Sequence, residues 1–218
     1  MDSSQFFGIS SIAYILAMVA YITYLAFKNS TIGIIATTIT SIGFVSQSIA
    51  FFMRGKEFYD LGQLGNIMRA IPLTNLYESM VFFVWCLILG YLIIEWKYKN
   101  RSFGAFITPI AGMALAFIDI SGMSKDISPL IPALQSNWLL AHVVLSFIAY
   151  ATFAIAFVTG IMYLAVTTDN KKSGAYIFWI VTSGIFAVIL IAMGIDFLAF
   201  KVASKSPEAF IKSYLFKA

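Results

Sequence analysis

The chain has 218 residues, 61% of them hydrophobic and 11% charged, with a mean hydropathy of +0.90. That balance excludes an ordinary water-soluble globular domain, whose core needs far fewer apolar residues. The formal charge of +4 does not point to nucleic acid, because the Lys and Arg residues lie in short segments between apolar runs and form no polar face.

A helix crossing a hydrocarbon layer about 30 Å thick needs about 20 mostly apolar residues, since no water is there to satisfy its backbone. Such runs recur along the chain and predict an all-α fold, a polytopic membrane helix bundle of about six transmembrane helices in one domain. The expected spans are 6–27, 31–53, 76–96, 103–120, 138–166 and 175–200. The first run follows Asp2 without a basic leader and is long for a signal-peptide core, so it reads as a retained helix. Trp96, Tyr98, Trp138, Tyr176 and Trp179 fall at run ends, where amphipathic rings favour the headgroup layer.

The connections 28–30, 97–102 and 167–174 are short, whereas 54–75 and 121–137 are long and share one face by parity with the N-terminus. The long-loop face carries Arg54, Lys56, Arg69, Lys125 and the tail lysines Lys201, Lys205, Lys212 and Lys217. The opposite face carries Lys28, Lys97, Lys99, Arg101, Lys171 and Lys172, packed into tight turns that weigh more in topology than charges in long loops. The short loops are therefore expected in the cytoplasm, with the N-terminus on the extracytoplasmic side. After the last span, Ser206-Pro207-Glu208 reads as a cap and helix start. Phe210, Ile211, Tyr214 and Leu215 then form the apolar stripe of a short amphipathic helix on the membrane surface.

Ionisable groups inside membrane spans are costly, so each is a candidate for function. His142, the only histidine, shares the spacing of one helix stripe with Trp138, Ser146 and Tyr150, and Gln135, Ser136 and Asn137 lie just upstream. Two readings stay open on spacing alone: a hydrogen bond to a neighbouring helix, or an axial ligand to haem iron at membrane depth. A chain with one histidine cannot build a bis-histidine haem site by itself. Glu78 lies in Pro72-Leu73-Thr74-Asn75-Leu76-Tyr77-Glu78, where Asn75 is the expected N-cap and Glu78 its capping-box partner, a structural role as plausible as a functional one. Asp119 and Asp196 read as interfacial, and Gln47 as a bond between helices. Cys86 lies in an apolar run and has no intrachain disulfide partner. No phosphate-binding glycine loop, zinc spacing or nucleophile motif occurs.

Two stretches resemble a known family. Pro72 to Ser79, running into Phe82, Phe83 and Trp85, resembles the opening of the third span in the CcsA/ResC family of System II cytochrome c biogenesis. The segment Leu130-Ile131-Pro132-Ala133-Leu134-Gln135-Ser136-Asn137-Trp138-Leu139-Leu140-Ala141-His142-Val143, followed by Tyr150-Ala151-Thr152-Phe153, is similar to that family's segment with its first extracytoplasmic histidine. The resemblance implies that His142 is an axial ligand to haem b at the outer face, with Trp138, Gln135, Ser146 and Tyr150 beside it and Asn75, Tyr77 and Glu78 as further candidates. It also implies a part in a cytochrome c haem lyase that joins haem to apocytochrome c, with a ResB-like membrane partner. The family's WWD segment and second histidine do not occur in these residues, so another chain or segment is expected to supply them. The competing expectations are a solute transporter, with a site formed by Gln47, Glu78 and His142 and helix breaks at Pro109, Gly112 or Gly160, and a non-catalytic membrane scaffold of a respiratory or biogenesis complex.

Overall fold

The computed structural model describes residues 3–60, 73–120, 123, 125 and 136–167. The elements are α1 (Ser3–Phe27), α2 (Ser30–Asp60), α3 (Leu76–Tyr98), one 3-10 turn (Arg101–Phe103), α4 (Gly104–Ile120) and α5 (Asn137–Thr167). Among the described residues five helices are long and apolar enough to cross a membrane, so the fold is a helical membrane bundle. The expected span 175–200, the tail helix, Gln135 and Pro72 lie outside the described residues. Contacts divide the chain into two units, Met1–Ile118 with Met123–Gly160, and Asp119–Gly122 with Ile161–Ala218. The contacts described below belong to the first.

Two tight turns are built the same way. Lys28 and Lys99 both take left-handed backbone, with φ of 52° and 56°, and donate their N–H groups to Tyr24 O at 2.7 Å and Glu95 O at 2.8 Å, closing α1 and α3. In each case the next residue is an asparagine whose side-chain oxygen accepts from the backbone two residues on, Asn29 from Thr31 N at 2.9 Å and Asn100 from Ser102 N at 3.0 Å. Glycine is the usual residue at such a position. A lysine there adds positive charge at the negative end of a helix dipole.

The outer surface of the bundle is apolar, and its interior mixes apolar packing with buried polar side chains. Ile12, Leu16, Val19, Ile34, Ile42 and Val45 are exposed, whereas Ser10, Tyr14, Tyr21, Thr40 and Gln47 are buried. That is the arrangement a hydrocarbon solvent favours, because a polar side chain finds partners only among its neighbours. Tyr14 donates to Gln47 Oε1 at 2.7 Å, and Gln47 Nε2 donates to Val81 O at 2.9 Å, tying α1, α2 and α3 at mid-depth. The sequence reading of Gln47 as a bond between helices matches this geometry.

At the short-turn end a buried carboxylate gathers three helices and the 3-10 turn. Glu95 Oε1 accepts from Thr37 Oγ1 at 2.6 Å, and Oε2 accepts from Tyr21 OH at 3.2 Å and from Tyr91 OH. Arg101 Nε stands 3.3 Å from Oε1. Gly104 lies directly against this cluster: a Cβ there would meet the Tyr21 ring and Tyr91 OH at 2.6 Å.

α5 rests on α3 in one parallel register. Phe147 meets Phe82 edge to face at 5.9 Å, and a Cβ on Gly90 would meet Ile155 Cδ1 at 2.6 Å. Both contacts pair residues separated by the same interval in sequence. Continued toward the helix starts, that register sets His142 at about the depth of Tyr77.

Gly104→Ala should therefore lower the thermal midpoint of the detergent-solubilised protein, with about 1–3 kcal/mol of overpacking. Gly160→Ala, where nothing lies within 4 Å of the added Cβ, should leave the midpoint unchanged or slightly raised. Equal midpoints for the two variants would contradict the packing at Gly104.

Candidate functional site

The residues singled out from the sequence fall into two separate places. The first is the end where the N-terminus and the two long connections meet. Ser3 donates through its N–H and its hydroxyl to Glu57, at 3.0 and 2.7 Å, which brings the start of α1 to the end of α2. Sequence reading ended the second span at Met53 and put Arg54 in the following loop. α2 instead continues to Asp60, and Arg54 is buried on it.

Arg54 explains its own burial. Its Nε lies 3.1 Å from Glu78 Oε1, with both side chains almost fully enclosed. Glu78 Oε2 accepts from Thr74 N at 2.8 Å and Thr74 Oγ1 at 2.9 Å. Asn75 is the N-cap of α3, its side chain accepting from Glu78 N at 2.8 Å. Half of the expected capping box is thus in place, and the Glu78 carboxylate also accepts from the N–H of Thr74, one residue before the cap. A further guanidinium N–H donates to the backbone carbonyl of Lys125. The Tyr77 ring lies between two cations, 5.8 Å from Arg54 Cζ and 5.7 Å from Lys125 Nζ. Asn75, Tyr77 and Glu78 therefore join three segments of chain at this end.

The second place is α5. Ala151, Ile155 and Val158 are buried, and Phe147 lies against Phe82, so these residues mark the face of α5 that packs on the bundle. Ala151 follows His142 by nine residues, which on an α-helix is a rotation of about 180°. His142 is exposed on the far side. Trp138, one turn earlier, is 86% exposed. Only 6% of the apolar stretch of α5 is buried, against 33–44% in the other four spans.

The expected stripe does not hold one face. Each step of four residues turns by about 40°, so Tyr150 has rotated by about 120° from Trp138. Its ring, 56% exposed, meets Phe147 of the same helix edge to face at 6.0 Å. The Ser146 hydroxyl donates to His142 O at 2.8 Å and is engaged within its own helix. Trp138 and His142, one turn apart, are both exposed at the start of the helix.

The site of the transport reading does not assemble. Gln47 is bonded to Tyr14 and Val81, Glu78 to Arg54, and His142 faces away from the bundle. Helices α4 and α5 also run unbroken through Pro109, Gly112 and Gly160. Two buried charges were missed from the sequence, Arg54 and Glu95. The signal for Glu95 was present: an acid inside an apolar run with Tyr91 one turn before and Arg101 shortly after. Arg54 differed only in that the hydrophobic run had ended.

Among the described residues no three His, Cys, Asp or Glu side chains gather to hold a metal ion. One imidazole on an open helix face can still serve as a single axial ligand to an iron whose other contacts come from elsewhere. Fold and geometry together define an integral helical membrane protein with one accessible imidazole at the long-loop end of its bundle. The chain belongs to the family described as Cytochrome C assembly protein, which matches residues 73–195. It is 32% identical over 170 residues to the cytochrome c biogenesis protein CcsA of Trieres chinensis, covering 77% of this chain and 50% of that protein. It is 41% identical over 129 residues to the CcsA of Heterosigma akashiwo strain NIES-293, covering 58% of this chain and 38% of the relative. To the CcsA of Porphyra purpurea it is 35% identical over 155 residues, 69% and 45% of the two chains. The chain thus spans about half the length of these relatives, or less. No solved structure matches it.

Removing one partner of the Arg54–Glu78 pair leaves the other charged and buried. Glu78→Ala should cost on the order of 3–5 kcal/mol, whereas Arg54→Met with Glu78→Met should recover most of that loss. Thermal unfolding in detergent would test this, and a double variant no more stable than Glu78→Ala would contradict it.

Proposed function

We propose that this chain is a haem-handling membrane part of a System II cytochrome c synthase, with His142 as one axial ligand to haem b at the extracytoplasmic face. The observation that carries the reading is the position of the only histidine, exposed at the long-loop end of α5 and turned away from the bundle. Membership of the cytochrome c assembly family and the names of its relatives supply the reaction class.

The chemistry asks little of this chain beyond holding and orienting its substrate. Attachment adds each cysteine S–H of apocytochrome c across a vinyl C=C of haem, forming a C–S bond with no atom lost. A neutral imidazole binds iron through one ring nitrogen. Because the Ser146 hydroxyl is engaged with a backbone carbonyl, it does not compete for that nitrogen. The Trp138 ring, one turn toward the membrane surface and almost fully exposed, offers a flat apolar edge to a porphyrin. Tyr150, two turns deeper along α5, and Gln135, before the helix in sequence, border the site in this reading, and Asn75, Tyr77 and Glu78 support it from the start of α3.

A second axial ligand and the WWD surface come from another chain or segment, with a ResB-like protein as membrane partner and apocytochrome c as client. The basic short turns with Lys28, Lys97, Lys99 and Arg101 support a cytoplasmic side for that end of the bundle and an extracytoplasmic one for the His142 end. The chain contributes to the haem lyase and is not active alone.

The test is the Soret absorption of the protein purified in mild detergent from haem-replete cells. His142→Ala should lose most of the band and regain part of it with added imidazole, while Ser146→Ala should keep it. An unchanged band in His142→Ala would remove His142 from the site.

A further inference from the structure

We propose that the buried Arg54–Glu78 pair is a positioning device, which fixes the α4-to-α5 connection at Lys125 and so helps set how α5 presents His142. The first half stands on geometry alone; the link to His142 rests on the haem reading above.

A buried ion pair is a poor means of holding two helices together, because desolvating both charges offsets most of their attraction. Two apolar side chains would join α2 to α3 as well. What they cannot do is hold a third segment by its backbone. A guanidinium carries five N–H groups in a rigid fork, and Arg54 divides that fork between the Glu78 carboxylate and the carbonyl of Lys125.

Each part of the grip is itself held. Glu78 is fixed from the other side by the N–H and hydroxyl of Thr74, so the carboxylate that aims Arg54 is locked to the start of α3. Tyr77 lies under Arg54 and under the Lys125 ammonium, so Lys125 is engaged by both its carbonyl and its side chain. Among the five described helices α5 has the least of its apolar stretch buried, so a tether on the connection before it has more to add there than elsewhere. The residue held by Arg54 lies on the connection leading into that helix.

The test uses the full chain in membranes, in a Cys86→Ser background with Met123→Cys as a reporter beside the grip. Arg54→Met with Glu78→Met is the principal variant. Arg54→Lys is the second, keeping the charge opposite Glu78 and losing the fork. Both should raise the rate at which a membrane-impermeant maleimide labels Cys at position 123 by about tenfold or more, as expected when a charge-assisted bond to the carbonyl is lost. A reporter at Lys28→Cys, on the opposite face and reached after the membranes are opened, should label at an unchanged rate. Unchanged labelling at position 123 in folded variants would overturn the proposal. In parallel, the variants should shift the Soret maximum while keeping its dependence on His142. Faster labelling with an unaltered haem spectrum would sever the link to His142, and a parent protein that takes up no haem would count against the haem reading and leave the labelling result standing.

Discussion

α3 carries a buried carboxylate at each end, and the described bundle is organised around satisfying both. Glu78 sits 1% exposed at the start of the helix and Glu95 7% exposed near its close. In hydrocarbon such a group is tolerated only with an opposite charge and hydrogen-bond donors around it. Arg54 and Arg101 supply the charges, and Thr74, Thr37, Tyr21 and Tyr91 supply the donors. Because those groups come from α1, α2, the start of α3 and the turn before α4, satisfying two acids also fixes the relative depths of the helices.

The two ends meet the requirement differently. At the short-turn end Glu95 is enclosed by hydroxyls from three helices, Gly104 lies tight against them, and the described partners all belong to the bundle and its turn. At the long-loop end the arginine also grips a loop carbonyl, and the aromatic ring beside it is shared with a second cation. One acid closes the bundle. The other connects it to the chain that leads to α5.

The fold was legible because hydrocarbon imposes a length and an apolar composition on every spanning helix, and those can be counted in a sequence. The end of α2 was not. A helix that has left the hydrocarbon core can go on for two more turns with Arg54, Lys56 and Glu57, because polar surface is no penalty there. Hydropathy marks where the membrane ends, and Arg54 lies just past that mark while still buried against α3. The stripe of His142 was legible as spacing, but spacing does not say what the stripe faces. Only the contacts of Phe147, Ala151 and Ile155 show that the bundle lies on the other side of α5. The drift of about 40° per four residues then separates Tyr150 from Trp138, a consequence of helix geometry available from the sequence and easily neglected.

Under the proposed haem reading, the direction of His142 bears on how such a site would be completed. Had the imidazole faced α3, the groups opposite it would have been those around Tyr77, where Glu78 and Arg54 are already committed to each other. A planar macrocycle ligated on that side would have to displace the packing of α5 on α3. On the outward side it would meet Trp138 and exposed surface of α5, with no described residue to displace. α3, on which α5 packs, lies on the side opposite His142, so a further ligand would come from elsewhere. A single histidine turned outward is therefore better suited to a shared site than a self-contained one. In such a site the burden on this chain is to hold α5 steady while another segment closes over it, and a tether at the long-loop end serves that need.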